Sequence, residues 1–420
     1  MLYERWRQIA RERGDDLALR DLVSGRHWSF TELAVLGEGA TAGAGPVIYP
    51  QGHSAEFIFA VLRAWRRNIV VCPLEPDQEP PRIPAPPAPC CHLKTTSATA
   101  GLPRGVAFRA EQLAADAENI VATMGLCSDW PNLGVISLAH SYGFSNLVLP
   151  LLLHGVPLVL APSPLPEVVR RADEGYPSLT LAGVPALWRA WQEAGAIPGN
   201  VRLAISAGAP LPAALEQAVF KTTGIKIHNF YGSSECGGIA YDSTDAPRAD
   251  DACVGAPMQN VGLDLNADGC LRVRSRAVGE TYWPDADDSL DEGCFQTSDL
   301  AELGDGRVYL RGRLSDQINV AGRKVSPAAI ERALRDHDAV NDCLVFGVPS
   351  SDTDRTDVIV ACVATNRPND GGGLKQFLLE KLPGWQVPRV WWFVESLKTN
   401  SRGKLSRAEW RRKFLERRMV

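Results

Sequence analysis

The stretch of this chain richest in chemistry-bearing residues runs from Lys94 to Val106, KTTSATAGLPRGV, where four hydroxyl side chains, two glycines and Arg104 fall within thirteen positions. Small residues leave backbone N–H groups exposed. Together with the hydroxyls of Thr96, Ser97 and Thr99, the close backbone approach allowed at Gly101 and the charge of Arg104, such a loop offers many donors to anionic oxygens. The GxxxxGK[ST] spacing is absent, so this is no Walker A loop. A polar turn opening a helix near Ala110 accounts for the same residues, and taken alone they leave both readings open.

Further blocks follow in an order that carries a resemblance. The Lys94–Val106 segment resembles the phosphate-binding signature of the adenylate-forming superfamily, which includes acyl-CoA synthetases, peptide-synthetase adenylation domains and luciferases. Ile136 to Leu160, ISLAHSYGFSNLVLPLLLHGVPLVL, resembles the segment that places a His or aromatic residue beside the acyl pocket. Ser206 to Leu211, SAGAPL, resembles the adenine-side turn, with Gly208, Ala209 and Pro210 at its centre. Asn229 to Glu235, NFYGSSE, is similar to the Tyr-Gly-x-Thr-Glu block, and Thr297 to Leu300, TSDL, to the ribose-binding Thr-Gly-Asp-Leu. Gly312 to Val325 resembles the hinge block, with Ser315 where many members carry Asp, and Asn400 to Leu405 resembles the terminal Gly-Lys block.

The resemblance implies a role for each block. Lys404 bridges the substrate carboxylate and the α-phosphate, where negative charge builds in the transition state. Its plain alternative is a solvated lysine in a basic stretch with Lys398, Arg402 and Arg407. Glu235 supplies a hard carboxylate to Mg²⁺ on the phosphates, or simply starts a helix. Asn229, Tyr231, Gly232, Ser233 and Ser234 line the nucleotide, Tyr231 offering a flat face to adenine unless it is ordinary core. Asp299 accepts from ribose hydroxyls and Arg313 reaches ribose or phosphate, unless the two form a surface turn. His140 follows an expected apolar strand, Val135 to Ala139, and is either an acyl-pocket residue or a satisfied core or rim histidine; Gly143 completes the His-x-x-Gly spacing of acyl- and aryl-CoA ligases. Three departures stand in the phosphate loop, where Ala98, Ala100 and Arg104 replace the family's Gly, Thr and Lys. A lost hydrogen bond to a charged group costs on the order of 1.5 to 3 kcal/mol, enough to slow turnover without abolishing nucleotide binding.

These blocks need a frame. Helical spacing is expected over Tyr3 to Arg13 and Ser54 to Arg67, a capped helix after Trp28-Ser29, and strands at Pro46 to Tyr49 and Ile69 to Cys72. That alternation predicts an α/β layer. Residues 73 to 90 hold eight prolines and read as a linker or extended crossover rather than a packed element. Short strands among Gly and Asp turns between 250 and 312 predict a β-rich subdomain. A helix over Pro327 to Arg335, strands over Asp342 to Val348 and Val358 to Val363, and a helix over Leu374 to Lys381 predict a compact α+β end. The fold expected is α/β, with a large N-terminal domain over 1–312 holding the ATP and acyl sites. A small mobile lid over 313–420 carries Lys404.

Bulk properties remove other classes. A net charge of −5 gives no basic field for nucleic acid. No run reaches the roughly 18 apolar residues of a membrane span, and the N-terminus lacks a signal-peptide pattern. Ten cysteines without CxxC pairs predict reduced thiols in cytoplasm. The expected activity is ATP- and Mg²⁺-dependent conversion of a fatty or aromatic carboxylic acid to acyl-AMP, then transfer to coenzyme A. Two alternatives stand beside it: loading of a separate carrier protein, and a non-catalytic nucleotide- or acyl-binding relative.

Overall fold

The computed structural model describes residues 1–39, 45–95, 105–173, 175–349, 357–365, 370–397 and 405–418. The chain divides into two compact units. The first comprises Met1–Asp264, Arg272–Thr297 and Gly304–Val308; the second comprises Leu265–Leu271, Ser298–Leu303 and Tyr309–Val420. The division runs through the strands Cys294–Gly304 and Arg307–Arg313, part of the β-rich stretch expected between 250 and 312.

In the first unit the opening helix, Leu2–Arg13, buries Leu2, Trp6 and Ala10, a spacing of four that puts all three on one face. Ser29 caps the helix Phe30–Gly37 through a reciprocal box with Glu32, an arrangement worth about 1 kcal/mol. The helix Ala55–Arg67 ends on Asn68 in the left-handed conformation at φ 54°. Strands Leu179–Gly183, Val201–Ser206 and Ile227–Ser233 run parallel side by side, and Asn132–Gly134 joins them in parallel beside Leu179–Gly183. Leu179–Gly183 is buried throughout and Val201–Ser206 at every position but Arg202, which is why these two read as apolar runs rather than alternating ones.

A second sheet orders the strands Thr281–Trp283, Gly105–Phe108, His92–Thr95, Val70–Val71 and Val47–Ile48. The strands His92–Thr95 and Gly105–Phe108 are antiparallel, with Thr95 opposite Gly105. The phosphate-loop candidate therefore joins two strands of one sheet, and the strand Gly105–Phe108 stands between it and the helix Ala110–Met124. The plain reading, a turn opening that helix, is replaced by this arrangement. The proline-rich stretch also differs from expectation. It forms neither helix nor strand, yet Leu74 is fully buried, Ile83 packs against the cluster of Val70, Cys72 and Leu74, and the indole of Trp283 donates to the Pro84 carbonyl at 2.7 Å. Proline removes the donor that a sheet needs but leaves apolar surface to bury, so the segment packs with the bridge of Leu74 to Gln51 in place of a paired strand.

The second unit is built on the strands Val340–Pro349, Asp357–Thr365 and Val390–Val394, the first pair antiparallel and the second parallel. Alternation sends Cys343 and Val345 to one face, against Ile330 and Leu334 of the helix Pro327–Arg335 and Leu374 and Leu378 of the helix Gly371–Lys381. Leu344 and Phe346 face the other way, onto Trp410 and Phe414 of the helix Arg407–Arg418. This is the α+β pattern that the sequence predicts.

Candidate active site

The carboxyl ends of the parallel strands gather three of the predicted blocks. Ser206 pairs with both Gly183 and Asn229, so the turn Gly208-Ala209-Pro210 and the stretch Tyr231-Gly232-Ser233 leave the sheet side by side. Ligands of open parallel sheets collect at this edge. The turn bends at Gly208, whose φ of 86° lies where side chains are disfavoured. Asn229 is buried, whereas Gly208 and Pro210 are exposed and Tyr231 is half-buried.

Behind these loops lies a four-charge buried network. Lys226 Nζ lies 2.5 Å from Glu216 and 2.7 Å from Asp242, and Arg248 Nε lies 2.7 Å from Glu216. Arg248 also donates to the Leu211 carbonyl at 2.7 Å, and Lys226 to the Ile227 carbonyl at 2.8 Å. One network thus fixes the end of the adenine-side turn and the start of the strand that leads to Tyr231. Burial alone would raise the pKa of Asp242, but hydrogen bonds from Lys226 and Thr244 outweigh it and hold the carboxyl below its usual range.

Glu235 does not start a helix. It sits in the turn between the antiparallel strands Ile227–Ser233 and Gly237–Tyr241. Three contacts define this turn. Gly279 N–H donates to the Glu235 carbonyl at 2.7 Å, and the Tyr282 hydroxyl donates to Glu235 Oε1 at 3.1 Å. Gly238 N–H donates to Asp116 Oδ1 at 3.2 Å. Gly237 has φ 69°, and a Cβ there would lie 2.0 Å from Asp116 Oδ1, so a side chain would be excluded twice over. Asp116 is in turn paired with Lys94 at 3.4 Å, and Ser145 Oγ accepts from Lys94 at 3.3 Å and donates to Asp116 at 2.6 Å. Cys236 lies beside Ser233, its thiol pushed far up by burial, so it stays protonated and inert.

His140 is partly exposed, and the strand that precedes it is Asn132–Gly134 rather than Val135 to Ala139. The apolar run 135–139 is loop, and the polar Asn132 masked the true strand by donating its amide to the Asn146 carbonyl at 3.2 Å. After His140 the chain forms the short helix Ser141–Gly143 and a π-helical turn, Phe144–Val148. Gly143 packs so tightly that a Cβ would fall 1.9 Å from the Ser137 carbonyl oxygen. The Tyr142 hydroxyl donates to the Ile205 carbonyl at 3.3 Å, and its ring meets Phe230 at 5.9 Å. Tyr142 thereby ties the segment that follows His140 to Ile205, near the end of the strand that leads to the Gly208 turn, and to Phe230, beside Tyr231.

In the second unit Asp299 and Arg313 are joined, Nε to Oδ1 at 2.9 Å. Ser315 is exposed in the turn Leu314–Asp316. Arg407, which the sequence offers only as a neighbour of Lys404, is held on several sides: its guanidinium donates to both oxygens of Glu331 at 2.7 Å, to Asp316 at 2.6 Å and to the Val345 carbonyl at 3.1 Å. Thr96, Ser97, Thr99, Gly101, Arg104 and Lys404, with Ala98 and Ala100, lie outside the described residues. Tyr282, Lys94, Asp116 and Ser145 escaped the sequence reading. No local signal marks them, since Tyr282 meets Glu235 across 47 positions and Lys94 meets Ser145 across 51.

Comparison with known proteins shows the family. The sequence model of the AMP-binding enzyme family matches residues 74–283, half of the chain, and that of the AMP-binding enzyme C-terminal domain matches residues 329–404. The chain belongs to the AMP-binding enzyme family. It is 28% identical over 397 residues to a feruloyl-CoA synthase of Amycolatopsis, covering 89% of this chain and 80% of that protein. It is 29% identical over 341 residues to a probable 2-succinylbenzoate–CoA ligase of Mycobacterium tuberculosis, covering 76% and 83%. In fold it is similar to an o-succinylbenzoate CoA synthetase from Bacillus subtilis, solved with its acyl-adenylate intermediate, at a TM-score of 0.79, 20% identity and 96% coverage of both chains. Among the described residues no helix is long and apolar enough to cross a membrane, and all ten cysteines are free.

Proposed function

We propose that this chain is an AMP-forming acid–thiol ligase that activates a fatty or aromatic carboxylic acid with ATP and passes the acyl group to coenzyme A. The observation that carries the reading is the convergence of the Gly208 turn, the Tyr231–Glu235 stretch and the segment that follows His140 at one sheet edge, in a chain of the AMP-binding enzyme family.

In the first half-reaction a carboxylate oxygen bonds to the α-phosphorus of ATP as the bond to pyrophosphate breaks. Lys404 stabilises the charge that builds there, Tyr231 holds adenine, and Asp299 and Arg313 hold ribose. In the second, a thiol attacks the acyl carbonyl and AMP leaves. We assign the ATP and acyl sites to residues 1–312 and the moving part, turning about Ser315, to 313–420. A lid suits a mixed anhydride that water would destroy. Coenzyme A is the first choice of thiol and a separate carrier protein the second. The ten free thiols agree with a cytoplasmic setting.

Glu235 is the residue for Mg²⁺. Among the described residues no three His, Cys, Asp or Glu side chains gather as a metal cage. A single carboxylate held at a turn fits an ion that completes its shell with nucleotide phosphates and water. Bound there, Mg²⁺ would neutralise phosphate charge.

ATP–pyrophosphate exchange with a panel of fatty and aromatic acids tests the reading. Exchange with at least one acid is expected, and ATP binding without exchange for any acid would make the chain a nucleotide-binding relative instead. In Lys404→Ala, adenylation should collapse while thioester formation from supplied acyl-AMP largely survives. Equal loss of both would remove Lys404 from its assigned role.

A further inference from the structure

We infer that Tyr282 is a positioning residue that sets the orientation of the Glu235 carboxylate toward the metal-bound nucleotide. The inference rests on the reading of Glu235 given above.

Tyr282 lies on the strand Thr281–Trp283, which pairs antiparallel with Gly105–Phe108, setting Tyr282 opposite Val106. That partner is the strand by which the chain leaves the predicted phosphate loop. The approach to Tyr282 is closely fixed. Gly279 N–H donates to the Glu235 carbonyl at 2.7 Å, and a Cβ on Gly279 would lie 2.4 Å from Val106 Cγ1 and 3.2 Å from that carbonyl oxygen. Glu280 N–H then donates to the Ala107 carbonyl at 2.8 Å and opens the strand pairing. Three residues after Gly279, Tyr282 is itself buried, at 7% exposure, and its hydroxyl reaches Glu235 Oε1 at 3.1 Å.

Glu235 is thus held twice from one short segment, by its backbone carbonyl through Gly279 and by its side chain through Tyr282. A glutamate carboxylate has three rotatable bonds behind it, and backbone anchoring alone leaves its head free to turn. A phenol donor on Oε1 removes that freedom and presents Oε2 to a cation. Groups that orient a metal-binding carboxylate in this way are commonly worth roughly 10- to 100-fold in metal affinity or activity. Because the donor sits on a strand hydrogen-bonded to the phosphate-loop sheet, the carboxylate's direction is referenced to the sheet that carries that loop.

The test is titration calorimetry of ATP without any acid, so that no turnover occurs, with Mn²⁺ present and then with EDTA, on wild type, Tyr282→Phe, Glu235→Gln and the double variant. The expected result is that Tyr282→Phe loses roughly tenfold of the Mn²⁺-dependent strengthening of ATP binding, with its affinity in EDTA unchanged. The double variant should bind no worse than Glu235→Gln alone. Pyrophosphate exchange should show the matching rise in the half-saturating Mg²⁺ concentration. A Tyr282→Phe protein with wild-type Mn²⁺ enhancement overturns the inference about Tyr282 while leaving Glu235 in place. Equal loss of affinity in Mn²⁺ and in EDTA assigns Tyr282 a general packing role and overturns it likewise. If wild type and Glu235→Gln show the same Mn²⁺ response, the reading of Glu235 fails, and the inference falls with it.

Discussion

Lys94 Nζ sits 3.4 Å from Asp116 Oδ2, with 3% and 1% of the two side chains exposed. The pair joins the strand that enters the predicted phosphate loop to the helix Ala110–Met124, and Asp116 passes the connection on to Gly238, just past Glu235. The ammonium also lies over the Phe108 ring, 4.6 Å from its centroid. Two charges this deep are tolerated because Ser145 and Gly238 satisfy the carboxylate's remaining acceptors.

Breaking one half of this pair should cost far more than removing both charges. Lys94→Met leaves a buried carboxylate uncompensated and is expected to lose roughly 3 to 5 kcal/mol. Lys94→Met with Asp116→Asn keeps the acceptor for Gly238 and should recover most of that loss. Urea unfolding of the two single variants and the double gives the coupling directly. An additive double variant would show that the charges do not stabilise each other.

His92 lies two residues before Lys94, fully buried against the Phe144 ring at 4.4 Å, and among the described residues neither ring nitrogen has a hydrogen-bond partner. Burial, then the Lys94 charge, holds its pKa well below the ordinary value of 6.5. The unfolded chain therefore takes up a proton near pH 6.5 that the folded chain refuses, so stability falls as pH drops below that value. His53, His154 and His228 shift in the same direction, His154 to about 4 by burial and then Arg5. His92→Phe should lower the loss of unfolding free energy between pH 7.5 and 5.5 and leave the remainder to the other three. Denaturant titrations at the two pH values measure it, and an unchanged slope would contradict the assignment.

Arg407 closes the second unit's charge arrangement. Arg407→Ala leaves Glu331, itself 4% exposed, to the more distant Arg335 at 3.8 Å, and is expected to cost roughly 3 kcal/mol. Arg407→Lys should recover only part, because one ammonium nitrogen cannot span the three partners that Nη2, Nη1 and Nε reach, namely Glu331, Asp316 and the Val345 carbonyl. Hydrogen exchange should quicken in the strand Val340–Pro349, whose Val345 carbonyl accepts from Arg407 and whose Val345 N–H donates to Glu331 at 2.8 Å. Protection spread evenly over both units would count against so local a role.

What could be read from the sequence was what one stretch of chain decides by itself. The Ser29 and Glu32 box, the buried face of Leu2, Trp6 and Ala10, and the alternation of Cys343, Leu344, Val345 and Phe346 are all set by spacing of a few residues. The motif blocks were legible because each is a short string. The rest depends on meetings across long separations: Tyr282 with Glu235, Lys94 with Asp116 and Ser145, Arg407 with Asp316 across 91 positions. Short elements also misled. Asn132-Leu133-Gly134 carries too little apolar pattern to announce a strand, while Val135 to Ala139 carries enough to suggest one and is loop. Strands of three or four residues owe their pairing to neighbours rather than to their own composition.

The Lys226, Glu216, Arg248 and Asp242 network has a bearing on ionic strength. Its four side chains are at most 6% exposed, out of reach of the mobile ions that weaken surface pairs. A nucleotide's phosphates, by contrast, meet their partners from solution. Added salt should therefore weaken the encounter with ATP while leaving the frame behind the Gly208 turn and the Tyr231 strand intact, so that salt inhibition reports on the ligand's own charge and not on a loosened protein.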